Sequence, residues 1–389
     1  MGTGAAHGLV HMTMVAFAAV LTPMRESVGA GLFAIAVVGN ISYLSFGLLA
    51  PASGYFADRI GSRRVLGICC FGMAAACVGL ALAKDIYSLG VALGALGLAA
   101  ALYHPAGLSL IARRVGSVEK AMAYHGIFGT LGLSLGPVVA GAITAAAGWR
   151  WSYVVFAAAL GALGAAFAGW GGRGVARMPG PAAERPALPQ KTLLAGLLLF
   201  YVIAIMNGFI FHGATTFLPT RLATIRNLFV GNAATTATLL AGIGGQYVGG
   251  LLASRWRYEL VLACSFLFSG LALVFLGASQ GAFLFAPALA YGFAHFSTQP
   301  VTNTLISRLT SARRQGIAFG VNFFLAFGLG SFGTGFVGYV GEKLGLGKAF
   351  GALAVVAFAV VPLSFVLWHL RRRAAAGPRI RDFFTDVPR

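Results

Sequence analysis

The chain has 389 residues, 58% of them hydrophobic and only 10% charged, with a formal net charge of +19. A water-soluble domain carries about 25% charged residues, so this composition excludes an ordinary soluble globule and, with 55 glycines, points to close-packed membrane helices. The positive charge sits in short loops beside apolar stretches, which reads as membrane topology, and no nucleic-acid partner is expected.

Apolar runs long enough to cross about 30 Å of hydrocarbon predict twelve spans. Six fall at 5–24, 32–54, 65–83, 88–112, 121–146 and 151–171. Six more fall at 192–218, 231–253, 259–277, 282–306, 316–341 and 348–370. The first run has no basic flank and reads as a span, with no cleavable leader. Cys69, Cys70, Cys77 and Cys264 lie within apolar runs and read as small buried side chains, neither disulfides nor metal ligands. The stretch 172–191, with Pro179-Gly180-Pro181, Pro186 and Pro189, has the composition of a linker. The predicted division is a six-helix bundle at 1–171, a cytoplasmic linker at 172–191, a second bundle at 192–371 and a cytoplasmic tail at 372–389. With both termini inside, 21 of 28 basic residues fall in inward loops or the tail. That asymmetry supports the even span count and the orientation together.

The two halves echo each other. Gly54-Tyr-Phe-Ala-Asp58-Arg59-Ile-Gly-Ser-Arg63-Arg64 joins spans two and three, and Gly250-Leu-Leu-Ala-Ser254-Arg255-Trp-Arg257 recurs 196 residues later. Pro23 and Pro219 are also 196 apart, Pro105 and Pro300 are 195 apart, and Gly136 and Gly330 are 194 apart. A charged hairpin between two membrane helices, repeated at half the chain length, resembles the major facilitator superfamily of transporters. The resemblance covers essentially the whole chain. It implies an all-α membrane protein of twelve transmembrane helices, built as two parallel six-helix pseudo-repeats with substrate held between them.

The same resemblance assigns a gate to Gly54, Asp58, Arg59, Arg63 and Arg113. Gly54 would let spans two and eleven approach, and Asp58 would pair with Arg113 or Arg114 or accept from a helix N-terminus. Ser254 replaces the aspartate in the second copy, so that latch is weaker. The plain alternative is a solvated turn carrying topological charge. Span five carries Gly126, Gly129, Gly132, Gly136-Pro137 and Gly141, which resembles the motif of drug–proton antiporters and departs from it at Ala140. Ordinary small-residue packing is the alternative there. Gly328-Leu-Gly330-Ser-Phe-Gly333 lies in an apolar helix with no preceding strand, so it is no nucleotide site. Tyr103-His104-Pro105 followed by Gly136-Pro137 is similar to the fosmidomycin-resistance exporters, although Ala106-Gly107 stands where an acidic residue is expected.

All nine acidic residues fall in loops, at helix ends or in the tail, so no carboxylate is expected at mid-membrane. Histidines take the vacant place. His7 and His11 lie on span one, His104 on span four, His212 on span seven and His295 on span ten, the helices that line the cavity in this fold. Imidazole can bind a proton, an anion or a metal, or merely pack. No local spacing supplies three converging ligands, and His104 and His125 are expected far in depth from His212, so no metal site is expected. The remaining cavity candidates are Tyr103, Asn207, Gln246, Gln299 and Asn303, with Gln299 facing His104 across the pseudo-twofold. No HExxH, GxSxG or paired carboxylates occur, so no enzyme and no cofactor are expected.

The reading is a monomeric secondary transporter in a bacterial cytoplasmic membrane, moving a small organic molecule by alternating access. Efflux by proton antiport is favoured. An uncoupled facilitator, an uptake symporter of a small metabolite or anion, and a non-transporting sensor are the alternatives. Protons and membrane lipid are the other expected partners.

Overall fold

The computed structural model describes residues 2–114, 118–169, 190–310 and 315–375, without the side chains of Asp58, Ser109, 112–123, 190–193, Gln315 and 373–375. The linker beyond 169, the tail beyond 375 and the arginines at 313 and 314 lie outside it.

Every described element is helical, and twelve crossings can be traced. The N-terminal half holds α1 (Gly2–Ser27), α2 (Leu32–Ile60), α3 (Ser62–Leu82), α4 (Ile86–Ala101), α5 (Tyr103–Arg114), α6 (Val118–Ala147) and α7 (Trp149–Gly169). The C-terminal half holds α8 (Gln190–Leu222), α9 (Leu228–Arg255), α10 (Tyr258–Ala278), α11 (Phe285–Phe296), α12 (Thr298–Leu309), α13 (Gln315–Phe323), a π-helical stretch (Phe324–Leu329), α14 (Phe332–Leu344) and α15 (Leu346–Ala375). Helices prevail because hydrocarbon offers no partner to a free backbone N–H or C=O. Several buried hydroxyls turn back on their own helix, as Thr215 does to the Phe211 carbonyl and Ser265 to that of Val261.

Turns are tight and depend on glycine at few places. Gly61, at φ +89°, is the whole connection between α2 and α3. Asp85 caps α4: the Ser88 N–H donates to its Oδ1 at 2.8 Å, and the Ser88 hydroxyl donates to the same oxygen at 3.0 Å. These donors, the backbone one first, hold the Asp85 carboxyl below the usual range. The cap therefore contributes above that range and is lost as pH falls through the lowered value.

The pseudo-repeat governs packing. In the N-terminal half α1 lies along α6, α2 along α4 and α3 along α7; α8 with α14, α9 with α11 and α10 with α15 repeat the pattern. Close crossings repeat too. A methyl at Gly97 would collide with the Ser42 carbonyl, and one at Gly292, 195 residues on, with that of Thr238. Between the halves, α6 meets α9 and α2 meets α14 and the π stretch. The end carrying Gly2, Gly61 and Ala375 is called the near end below, and the end carrying Gly29, Gly148 and Gly345 the far end.

Candidate functional site

Spans four and ten are both broken, at matched positions. Pro105 has no N–H for the Ala101 carbonyl and Pro300 none for that of Phe296, so the helix stops one residue before Tyr103 and again before Thr298. Leu102 and Ser297, 195 residues apart, are the joints. Each break sets a polar residue at the head of a new helix: His104 on α5, Gln299 on α12. Span eleven carries the third irregularity, its π stretch, a feature frequent at functional sites.

The break at Leu102 turns His104 toward α1. His7 and His11, one turn apart, share the face of α1 that rests on α6. The α6 glycines make this possible: a methyl at Gly129 would run into the His7 ring, one at Gly132 into Gly8, and one at Gly136 into Val15. Span five thus uses its glycine face to bring α1 close. Pro137 follows Gly136 without interrupting α6, and the N–H of Val138 goes across to the Thr236 hydroxyl at 3.2 Å.

Four histidines meet there. His7 Nδ1 lies 2.7 Å from the His125 carbonyl, and its Nε2 lies 3.1 Å from His11 Nε2. The His7 ring stacks on that of His125 at 4.1 Å and meets His104 edge-on at 5.1 Å, while His11 and His104 are 5.3 Å apart. Tyr103 closes the group, its ring stacked on His7 at 5.2 Å and its hydroxyl donating to the Thr3 carbonyl. A carbonyl only accepts, so His7 Nδ1 carries the hydrogen and Nε2 of the neutral ring keeps its lone pair. The short contact with His11 therefore holds one proton between two nitrogens. His7 and His125 are buried and His11 and His104 half-buried. Spacing along the chain sets His104 and His125 apart from His212 in depth and supplies no local triad; the side chains of His7, His11, His104 and His125 meet only through packing, because each arrives on a different turn or helix.

The other histidines sit in the C-terminal half. His212, 1% exposed, lies against Tyr43 at 4.3 Å and Phe327 at 5.4 Å. His295 stacks on Tyr291 at 5.3 Å and Phe211 at 5.8 Å. Nδ1 of both, and the side-chain carbonyls of Asn207 and Asn322, are buried without partners. The π stretch links the two groups: Phe327 touches Phe46 at 5.4 Å, and Phe323, just before it, touches His104 at 5.6 Å. Gln246 is half-buried and Gln299 and Asn303 are exposed; no described contact joins Gln299 to His104.

At the near end the expected gate is partly described. The side chains of Asp58 and Arg113, and so any latch between them, lie outside the described residues. Gly54 faces Pro105 of α5, with a methyl there 3.9 Å from the proline Cβ, and Gly250 faces Pro300 at the same distance. A close approach of α2 to span eleven is made at Gly47, where a methyl would stand 2.5 Å from Gly328 N. Arg59 lies over the Tyr55 ring at 5.0 Å, and Arg63 keeps a buried Nη1 without a partner. The Ser254 hydroxyl donates to the Leu251 carbonyl at 2.7 Å. An unforeseen ion pair, Arg371 to Glu259 at 2.5 Å, closes the near end of the C-terminal half.

Sequence reasoning also missed the contacts between halves. Thr22 and Thr220 hydroxyls stand 3.2 Å apart, Asn232 donates to the Ala19 carbonyl at 3.1 Å, and Glu342 accepts from the Phe33 N–H at 2.9 Å. With Val138–Thr236, these are the described hydrogen bonds that cross the halves, and all lie toward the far end. Only Thr22 and Thr220 had a sequence signal, since they neighbour the matched Pro23 and Pro219.

A family profile described as Major Facilitator Superfamily matches residues 3–334. The fold is similar to the crystal structure of a bacterial homolog to the human lysosomal transporter Spinster, inward-facing and unoccupied. The TM-score is 0.78 at 13% identity, covering 96% of this chain and 97% of that one. The inward-facing and occupied form of that homolog aligns with a TM-score of 0.75 at 14% identity, covering 99% and 98%. A search of curated proteins returned no match.

Proposed function

This chain belongs to the Major Facilitator Superfamily, and on that premise we propose that it is a secondary transporter moving a small organic molecule across a bacterial cytoplasmic membrane by alternating access, exporting it in exchange for protons. The observation that carries the proposal is the one-sided pattern of contacts between halves, with the described crossing hydrogen bonds toward the far end. If the near end is cytoplasmic, as the loop charges favour, this is an inward-facing state. Rocking of the halves about the Gly47–Gly328 crossing would open the far end and expose the site between them.

Proton coupling is assigned to the histidine group, since no carboxylate stands at mid-depth. One proton shared by His7 and His11 beside the helix break is placed where movement of α5 would change its affinity. The aromatic rings between the two histidine groups, Phe46, Phe323 and Phe327, suit a cargo with an apolar body. The test is flux in proteoliposomes under an imposed pH gradient, with internal pH read beside labelled organic acids, phosphonates and amphipathic drugs. Cargo movement with proton counterflow, lost in His11→Ala and His104→Ala, is the expected result. Movement indifferent to pH would make the protein a facilitator, and binding without movement would make it a sensor.

A further inference from the structure

We infer that His7, His11 and His104 form a binding site for a divalent transition-metal ion of the zinc class. Their ligand nitrogens all lie within 4.8 Å of one another. Three nitrogens on one zinc at tetrahedral angles stand about 3.3 Å apart. His7 and His11 meet that spacing already, at 3.1 Å. Only His104 has to swing inward, by on the order of 1 Å, and it is half-buried at the first turn of α5 beside the joint at Leu102.

The surroundings are those of a ligand set. His7 gives its Nδ1 hydrogen to the His125 carbonyl, the outer contact that orients a ligating imidazole and leaves Nε2 free for a metal. The cluster offers nitrogen alone, with no carboxylate and no thiol, which selects zinc, nickel, cobalt or cupric ions over calcium or magnesium. Three protein ligands leave a fourth position for water or an anionic oxygen, which offsets the charge of the ion in a low-dielectric place.

All three ligands belong to the N-terminal half. Rigid rocking of one half against the other would keep the three nitrogens together, and only movement of α5 against α1 would loosen His104, so the ion is a resident and not the cargo. It occupies the nitrogens that otherwise share a proton; metal and proton are alternative occupants. The inference stands on this geometry and not on the transport reading, and its readout is binding.

The test uses the tag-free full chain in detergent, stripped with chelator, then titrated with zinc ions by calorimetry and with cobalt ions by visible absorption. One ion per chain with tetrahedral cobalt bands and no thiolate charge-transfer band is expected. His11→Ala and His104→Ala each weaken binding at least 100-fold, and the exposed His369→Ala leaves it unchanged. Zinc raises the melting temperature of the wild type but not of those two variants, which separates lost ligands from lost folding. No saturable binding, or binding retained in both variants, would overturn the site.

Discussion

Gly129 shows how one missing side chain shapes the candidate site. The His7 ring occupies the space that a methyl on residue 129 would need, with Tyr103 and His125 stacked on it, His104 edge-on and His11 tilted beside it. Gly129→Ala is expected to cost about 1–3 kcal/mol by overpacking and to displace His7 from His11. Gly126→Ala, with nothing within 4 Å of the added methyl, is its neutral control. Melting temperature and zinc affinity, measured on both, should fall only in the first. At this scale sequence reading went part of the way. It marked His7, His11 and His104 as candidates and Gly129 as part of a packing face. It did not place them together, because spacing along one helix says nothing about which face of another helix it meets.

The apolar runs 88–112 and 282–306 read as unbroken spans, although the cause of each break is in view. Pro105 and Pro300 are visible as letters, and their effect on the chain is local, a missing N–H and a ring against the preceding turn. What they position is not local. Pro105→Ala should let α4 and α5 join and rotate His104 away from His11. Flux under a pH gradient should then fall at least tenfold, while the melting temperature stays level or rises. Lower stability with flux retained would reduce the break to packing. The expected approach of Gly54 to span eleven came from resemblance and belongs to the outward-facing state; here Gly54 faces Pro105, and the described crossing with span eleven is two turns away at Gly47.

Among the described residues, a few hydrogen bonds toward the far end join the two halves, beside apolar and aromatic contacts. Their number decides how easily the halves part. Glu342 sits at the N-terminus of α2, where its charge meets the helix dipole. Glu342→Gln should weaken far-end closure by at most about 1 kcal/mol, solvent screening included. A spin-label distance pair across the far end would register that as a several-fold gain in the open population. Thr22 and Thr220 offer a stronger test, their hydroxyls being 3.2 Å apart. Thr22→Cys with Thr220→Cys should form a disulfide on oxidation, stop flux and recover it on reduction. Full flux in the oxidised pair would contradict alternating access through that end. Zinc at saturating concentration should slow pH-driven flux in the wild type and in the exposed His369→Ala variant alike, with half-inhibition at the concentration that half-saturates the site.

What the amino-acid sequence by itself determined is the architecture: twelve helical crossings, two repeated halves and the family. Each follows from features that act over a turn or two of chain, namely apolar run length, proline, glycine and a motif met twice at nearly one offset. Only the tertiary structure decided the site. The histidine group draws on α1, α5 and α6, and the far-end contacts join residues about 200 or more positions apart, or nearly 100 for Val138 and Thr236. Which imidazole nitrogens face one another depends on the depth and rotation of each helix, and packing across the bundle sets both.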